Sequence, residues 1–203
     1  MSSVLDLSPV IPVVVIRDAD DAVPLARALL AGGVPVIEVT LRSKAALAAI
    51  ELIATEVPEL VVGVGTLTTP DQVEAATKAG AKFLISPGGT PRLLDAMAET
   101  GLPYLPGVAT VSEMMAMLDR GITEMKFFPA SAAGGPEYLR AVAGPLPQVR
   151  LCPTGGITEA SAPDYLALSN VGCVGGSWIA PTNAIVDGDW AAIEAAAKAA
   201  AAL

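Results

Sequence analysis

Pro35-Val-Ile-Glu-Val-Thr-Leu41 opens a stretch that continues through an alanine-rich segment starting near Ser43 and ends in Leu60-Val-Val-Gly-Val-Gly65. Both flanking runs are short, apolar and β-branched, as strands buried on two faces require. The segment between them has helical length, and a strand, a covering helix and a second strand form the unit from which parallel sheets are built. The unit repeats. Strand-type runs recur at Val10–Ile16, Pro35–Leu41, Leu60–Gly65, Lys82–Ser86, Pro103–Gly107, Glu124–Phe128, Val149–Pro153 and Val171–Gly175, eight in all. Segments of helical length begin near Asp20, Ser43, Thr69, Thr90, Val111, Pro136, Thr158 and Asp189. Thr69-Pro70 and Thr90-Pro91 each put a capping residue ahead of a proline at the first helical position, and Gly80, Gly101 and Gly121 stand where helices stop. This alternation predicts an α/β chain folded as a (β/α)8 TIM barrel, with residues 1–203 as a single domain. A doubly wound open sheet is the other arrangement the periodicity permits.

Composition narrows the chemistry. The 203 residues are 53% hydrophobic, yet no apolar run approaches the roughly 20 residues a membrane span needs. The first residues lack the basic segment, apolar core and cleavage site of a secretory signal, so a cytoplasmic location is expected and no membrane partner. The net charge of −9 argues against nucleic acid, and an anionic substrate would need a local cationic pocket. Histidine is absent, which removes the commonest neutral-pH acid/base and the commonest nitrogen ligand for metals. No metal and no cofactor are expected, a carboxylate-held magnesium ion being the one that the composition leaves open. Cys152 and Cys173 sit in apolar strand-type runs without CxxC spacing and read as core thiols.

In a parallel barrel the active site lies at the C-terminal ends of the strands, and polar residues gather there. Arg17 closes the first strand, and the second gives Glu38, Thr40 and then Arg42. Thr66 ends the third, Thr154-Gly155-Gly156 the seventh and Gly175-Gly176-Ser177 the eighth. Glu124-Met-Lys-Phe-Phe-Pro129 carries Lys126 within an apolar strand. An amine stripped of water favours its neutral form, which attacks a carbonyl carbon to form a Schiff base; a lysine that snorkels to water is the alternative. Strand alternation puts Glu38 and Thr40 on one face of their strand and Lys126 and Phe128 on one face of theirs, so that both pairs can point into the barrel. A carboxylate in a strand interior needs a cation, and Lys126 is the obvious candidate. The diglycine turns after strands seven and eight suit phosphate binding by backbone N–H groups. Phe127 and Trp178 read as packing residues, and Phe128 as an apolar wall beside the amine.

Glu38-Val-Thr-Leu-Arg42, Gly63-Val-Gly-Thr66, Ile85-Ser-Pro-Gly88, Lys126-Phe-Phe-Pro129, Cys152-Pro-Thr-Gly-Gly156 and Gly175-Gly-Ser-Trp178 occur in order. In these motifs the chain resembles the class I 2-keto-3-deoxy-6-phosphogluconate aldolase family over nearly its whole length. The resemblance implies a homotrimeric barrel, a phosphorylated keto-acid substrate and retro-aldol cleavage to pyruvate and D-glyceraldehyde 3-phosphate. It makes Lys126 the Schiff-base lysine and Glu38 the general acid/base. Arg42 and Thr66 are then the ligands of the substrate carboxylate, with Thr154, Phe128 and Pro87 lining the pyruvate pocket. Gly155, Gly156, Gly176 and Ser177 match the phosphate-binding turns, and Arg17 assists them. Gly89 and Ser131 depart from the family pattern, at positions that bear on loop rigidity and trimer packing. Cleavage of 4-hydroxy-2-oxoglutarate is a second activity the resemblance allows.

Two other readings stay open at this level. A phosphosugar isomerase or epimerase would use Glu38 as base and Lys126 as an electrostatic clamp, without a covalent adduct. A self-assembling scaffold subunit would keep the barrel for assembly, and an exposed outer apolar stripe such as Met114–Leu118 would serve either the trimer or a larger shell.

Overall fold

The computed structural model describes residues 3–203, and every strand pairing in it is parallel. The strands are β1 (Val10–Val14), β2 (Val36–Thr40), β3 (Val61–Gly65), β4 (Leu84–Ile85), β5 (Tyr104–Leu105), β6 (Gly107–Val108), β7 (Glu124–Phe127), β8 (Arg150–Pro153) and β9 (Val174–Gly176). The helices are α1 (Ala22–Ala31), α2 (Ala46–Glu56), α3 (Pro70–Lys78), α4 (Pro91–Glu99), α5 (Val111–Leu118), α6 (Gly135–Ala143), α7 (Ala162–Leu166), α8 (Thr182–Val186) and α9 (Trp190–Ala201).

Hydrogen bonding orders the strands β5-β4-β3-β2-β1-β9 in one sheet and β6-β7-β8 in another. Two links turn these sheets into a closed (β/α)8 barrel. β5 and β6 are the two halves of the expected run Pro103–Gly107, parted at Pro106, which has no N–H to give the ladder. Its carbonyl still accepts from Lys126 N at 3.0 Å, so the fifth position changes partners without opening the wall. On the far side, the bridges Leu151↔Val171 and Thr154↔Gly175 join β8 to β9. The open-sheet alternative is thereby excluded.

Glycines in the barrel wall admit a large side chain at one point and another segment's backbone at a second. A Cβ on Gly63 would stand 2.2 Å from the Phe83 ring, and one on Gly107 would stand 2.2 Å from the Pro87 carbonyl. Each site needs the bare backbone. At the opposite end from the site, Ser3 Oγ donates to both carboxylate oxygens of Glu124, at 2.7 and 2.8 Å. Arg150 spans Asp6 and Glu124, and its guanidinium holds the Asp6 carboxyl below the usual carboxylate range. These contacts strap the short 3-10 turn Val4–Asp6 under β7 and β8.

Helix starts follow their caps. Thr69 and Thr90 accept from the backbone three residues on, each ahead of its proline, and Asp189 caps α9. Where no side-chain cap forms, α2 begins at Ala46 and α7 at Ala162, three and four residues after the expected Ser43 and Thr158. A 3-10 turn, Ala19–Asp21, occupies the expected start of α1. α8 had no signal in the sequence reading. The Met114–Leu118 stripe is corrected: Met114 and Met117 are buried against the barrel, and only Val111 and Met115 of the large apolar residues on α5 are exposed.

Thr110 and Glu113 cap α5 reciprocally, with Glu113 Oε2 accepting from Ala109 N at 2.8 Å and Thr110 N at 2.9 Å. The Ala109 amide, with Thr110 adding to it, draws the Glu113 pKa below its ordinary value. A depressed carboxylate stabilises the fold above its ordinary pKa, and that contribution disappears as pH falls through the lowered value. Thr110→Ala is expected to cost about 1 kcal/mol, read as a lower urea midpoint at unchanged slope.

Candidate active site

Glu38 and Lys126 meet inside the barrel near its C-terminal mouth. Lys126 Nζ lies 2.9 Å from Glu38 Oε1 and 3.3 Å from Oε2, with side-chain exposures of 7% and 1%. Strand register explains the meeting. Glu38 pairs with Val13 on one side and Gly63 on the other, while Lys126 pairs with Gly107 and Cys152. Residues paired across parallel strands share a face, and both sets face inward. Gly65 makes room for the carboxylate: a Cβ there would fall 2.0 Å from Glu38 Oε1. The pair anticipated from strand alternation is therefore present, and the amine sits against a carboxylate as well as apolar neighbours.

Two adjoining cavities open above this pair. The inner one, of about 380 Å³, is walled by Glu38, Lys126, Arg42 and Thr66. Pro87, Phe128 and Thr154 complete the set expected there, together with Val13 and Thr40. Phe128 is half open to solvent, with its ring centroid 5.7 Å from Lys126 Nζ. Thr66 is the only non-glycine residue with positive φ among the described residues, at 65°. A β-branched residue resists that conformation, so the chain end of β3 is held under strain with its side chain on the cavity wall.

The outer cavity, of about 560 Å³, shares Val13, Thr40, Arg42, Phe128 and Thr154 with the inner one. Beyond them it is bounded by Gly155, Gly156 and Ser177. Gly155 and Gly156 have φ of 102° and 75°, a left-handed turn that ordinary residues avoid. The turn is pinned by Ala130 N and Ser131 N, which donate to the carbonyls of Thr154 and Gly155 at 2.8 and 3.0 Å. Gly176 and Arg17 do not line either cavity. Gly175 does, and the Gly176 Cα instead faces the Trp178 ring, which a Cβ would approach to 2.1 Å. Trp178, expected as packing, is on the outer wall as well. Val15, Ile157, Thr158 and Thr182 also line it, although nothing in the sequence marks them as site residues.

Cys152 and Cys173 are free and buried. A hydrogen bond with Cys173 lowers the Cys152 thiol, with the Lys126 charge adding to the effect, and Cys152 and burial push Cys173 well up. Among the described residues, no three His, Cys, Asp or Glu side chains gather as a metal site would require. No helix there is long and apolar enough to cross a membrane.

An enclosed amine beside a carboxylate, with a guanidinium and a hydroxyl on the same wall, is equipped to bind a keto acid and condense with its ketone. Known proteins agree with that chemistry. A family model described as KDPG and KHG aldolase matches residues 1–196. The KHG/KDPG aldolase of Escherichia coli is 54% identical over 188 residues, covering 93% of this chain and 88% of that protein. The 2-dehydro-3-deoxy-phosphogluconate aldolase of Dickeya dadantii is 52% identical over 195 residues, covering 96% and 92%. Among solved structures, KDPG aldolase from Legionella pneumophila, holding pyruvate as a covalent carbinolamine, superposes with a TM-score of 0.95 at 49% identity, covering 97% of this chain and 96% of that one. The Zymomonas mobilis aldolase with 3-phosphoglycerate gives 0.92 at 46% identity, covering 98% and 93%. The chain therefore belongs to the KDPG and KHG aldolase family.

Proposed function

We propose that this chain is a class I aldolase that reversibly cleaves 2-keto-3-deoxy-6-phosphogluconate to pyruvate and D-glyceraldehyde 3-phosphate, and that it also cleaves 4-hydroxy-2-oxoglutarate. The observation that carries the reading is the 2.9 Å contact between Lys126 and Glu38 on the wall of a cavity that Arg42 and Thr66 share. The carbinolamine of the Legionella enzyme supports it.

The ion pair contains the proton the first step needs. Transfer from Nζ to Glu38 gives a neutral amine and a carboxylic acid. The amine attacks the C2 ketone, and the C2–O bond breaks with loss of water, which takes one hydrogen from the nitrogen and one from Glu38. An iminium and a carboxylate remain. Glu38 then removes the C4 hydroxyl proton, C3–C4 breaks, and the electrons run into the iminium to give a neutral enamine. The aldehyde phosphate leaves, Glu38 returns its proton to C3, and water hydrolyses the imine to release pyruvate. Arg42 and Thr66 hold the substrate carboxylate, with a guanidinium fork suited to bidentate contact. Thr154, Phe128 and Pro87 confine the pyruvate moiety. Gly155, Gly156 and Ser177 take the phosphate, and Arg17 assists through long-range charge.

The chain works as one barrel domain in the cytoplasm and assembles as a homotrimer, a reading supported by the family resemblance and by the exposed Val111 and Met115 on α5. Incubation with pyruvate and borohydride, followed by peptide mapping, tests the chemistry. A reduced pyruvyl adduct on Lys126 is the expected result, and no adduct on folded protein rejects the Schiff-base route. Glu38→Gln is expected to lower turnover by about 10²–10⁴-fold while the adduct still accumulates slowly. Full turnover in that variant would remove Glu38 from its role.

A further inference from the structure

The inner and outer cavities meet at a neck formed by Val13, Thr40, Arg42, Phe128 and Thr154. A substrate joined through C2 to Lys126, with its phosphate at the Gly155-Gly156 turn, must lay its middle carbons across that neck. Its hydroxyl side chains are Thr40 and Thr154. Thr154 is loosely held, with Oγ1 3.4 Å from the Cys152 carbonyl and 3.8 Å from Cys152 Sγ. Thr40 is 2% exposed, and its Oγ1 donates its one proton to the Val14 carbonyl at 2.8 Å. Only lone pairs remain for a ligand, so Thr40 recognises a donor.

Which donor follows from direction along β2. Glu38 takes the proton of the C4 hydroxyl, and Thr40 stands two residues nearer the mouth on the same face. The substrate runs the same way, from C2 in the inner cavity to the phosphate outside. Resting on the aldolase reading above, we infer that Thr40 accepts a hydrogen bond from the C5 hydroxyl, which is the 2-hydroxyl of the aldehyde product. Thr40 thus makes the enzyme select aldehyde phosphates with a hydroxyl beside the carbonyl.

The test compares kcat/KM for addition of pyruvate to D-glyceraldehyde 3-phosphate and to 3-oxopropyl phosphate, the same aldehyde without that hydroxyl. Wild type, Thr40→Val and Thr40→Ser are each assayed, and exchange of the pyruvate methyl hydrogens in deuterium oxide is followed in parallel. Thr40→Val is expected to lose about 10-fold of the preference for the hydroxyaldehyde, the worth of one hydrogen bond in a dry site. Methyl exchange, which uses Lys126 and Glu38 with the carboxylate held by Arg42 and Thr66 and involves no aldehyde, reads any loss common to both aldehydes, and Thr40→Ser restores the preference. If Thr40→Val slows both aldehydes by the same factor, Thr40 merely braces β1 against β2 and the inference fails. If wild type exchanges no methyl hydrogen, the aldolase reading itself fails, and the inference with it.

Discussion

Lys126→Met is expected to abolish both the trapped pyruvyl adduct and cleavage, and to destabilise the fold by about 3–5 kcal/mol. The size of the second effect comes from the partner left behind. Glu38 is 1% exposed, and Lys126 is the one cationic side chain within hydrogen-bond reach of its carboxylate in the described residues. Removing the cation leaves a desolvated charge with nothing to offset it. Replacing both members behaves differently, since the penalty for burying charge leaves along with the attraction. The double variant Lys126→Met, Glu38→Gln is therefore expected to regain most of the lost stability while staying inactive. Urea unfolding of the wild type, both single variants and the double variant gives the coupling directly. A Lys126→Met protein as stable as wild type, or a double variant no better than the single, would show that the pair is not a buried charge problem.

Gly65→Ala is the second large effect, at a residue that touches no substrate. The added methyl would stand 2.0 Å from Glu38 Oε1 and 2.7 Å from Cδ, far inside contact distance, so the carboxylate must swing off Lys126. A misplacement of about 1 Å costs on the order of 10²-fold where acid/base geometry matters, and loss of the group's function costs up to about 10⁴-fold. A fall in kcat of about 10²–10³-fold is expected, with Lys126 still forming its adduct slowly. Gly88→Ala is the control. Nothing lies within 4 Å of a Cβ at Gly88, so it should leave turnover near wild type. Equal turnover in the two alanine variants would mean that the carboxylate relaxes without cost.

The repeat of strand and helix was readable because parallel strands buried on two faces leave continuous apolar runs, and because Thr69, Thr90 and Asp189 mark helix starts chemically. Lys126 and Glu38 were readable because each is a charged group inside such a run, where charge needs a partner. Less legible was whatever depends on register between distant strands. That Val13 stands beside Glu38 is fixed by the β1–β2 pairing, not by local sequence. The split at Pro106 follows from two different neighbours claiming the two halves of one run. The glycine pairs at the ends of β8 and β9 look alike in sequence, yet Gly155 and Gly156 adopt left-handed turns while Gly176 lies in β9 under Trp178. A short helix such as α8 has no side-chain cap and too few residues to show a period.

β1 is flanked by β2 and by β9, and behind it α1 packs so tightly on α9 that a methyl at Gly32 would lie 2.5 Å from the Ala197 Cβ. β1 thus waits for β9 and α9, far along the chain, before its second edge is covered. Until they dock, that edge carries unpaired amides and carbonyls, able to accept a strand from another chain. Closure joins Val10 to Val174, a long separation in sequence and therefore a slow search, so β1 is the edge at which misassembly between chains is expected to begin.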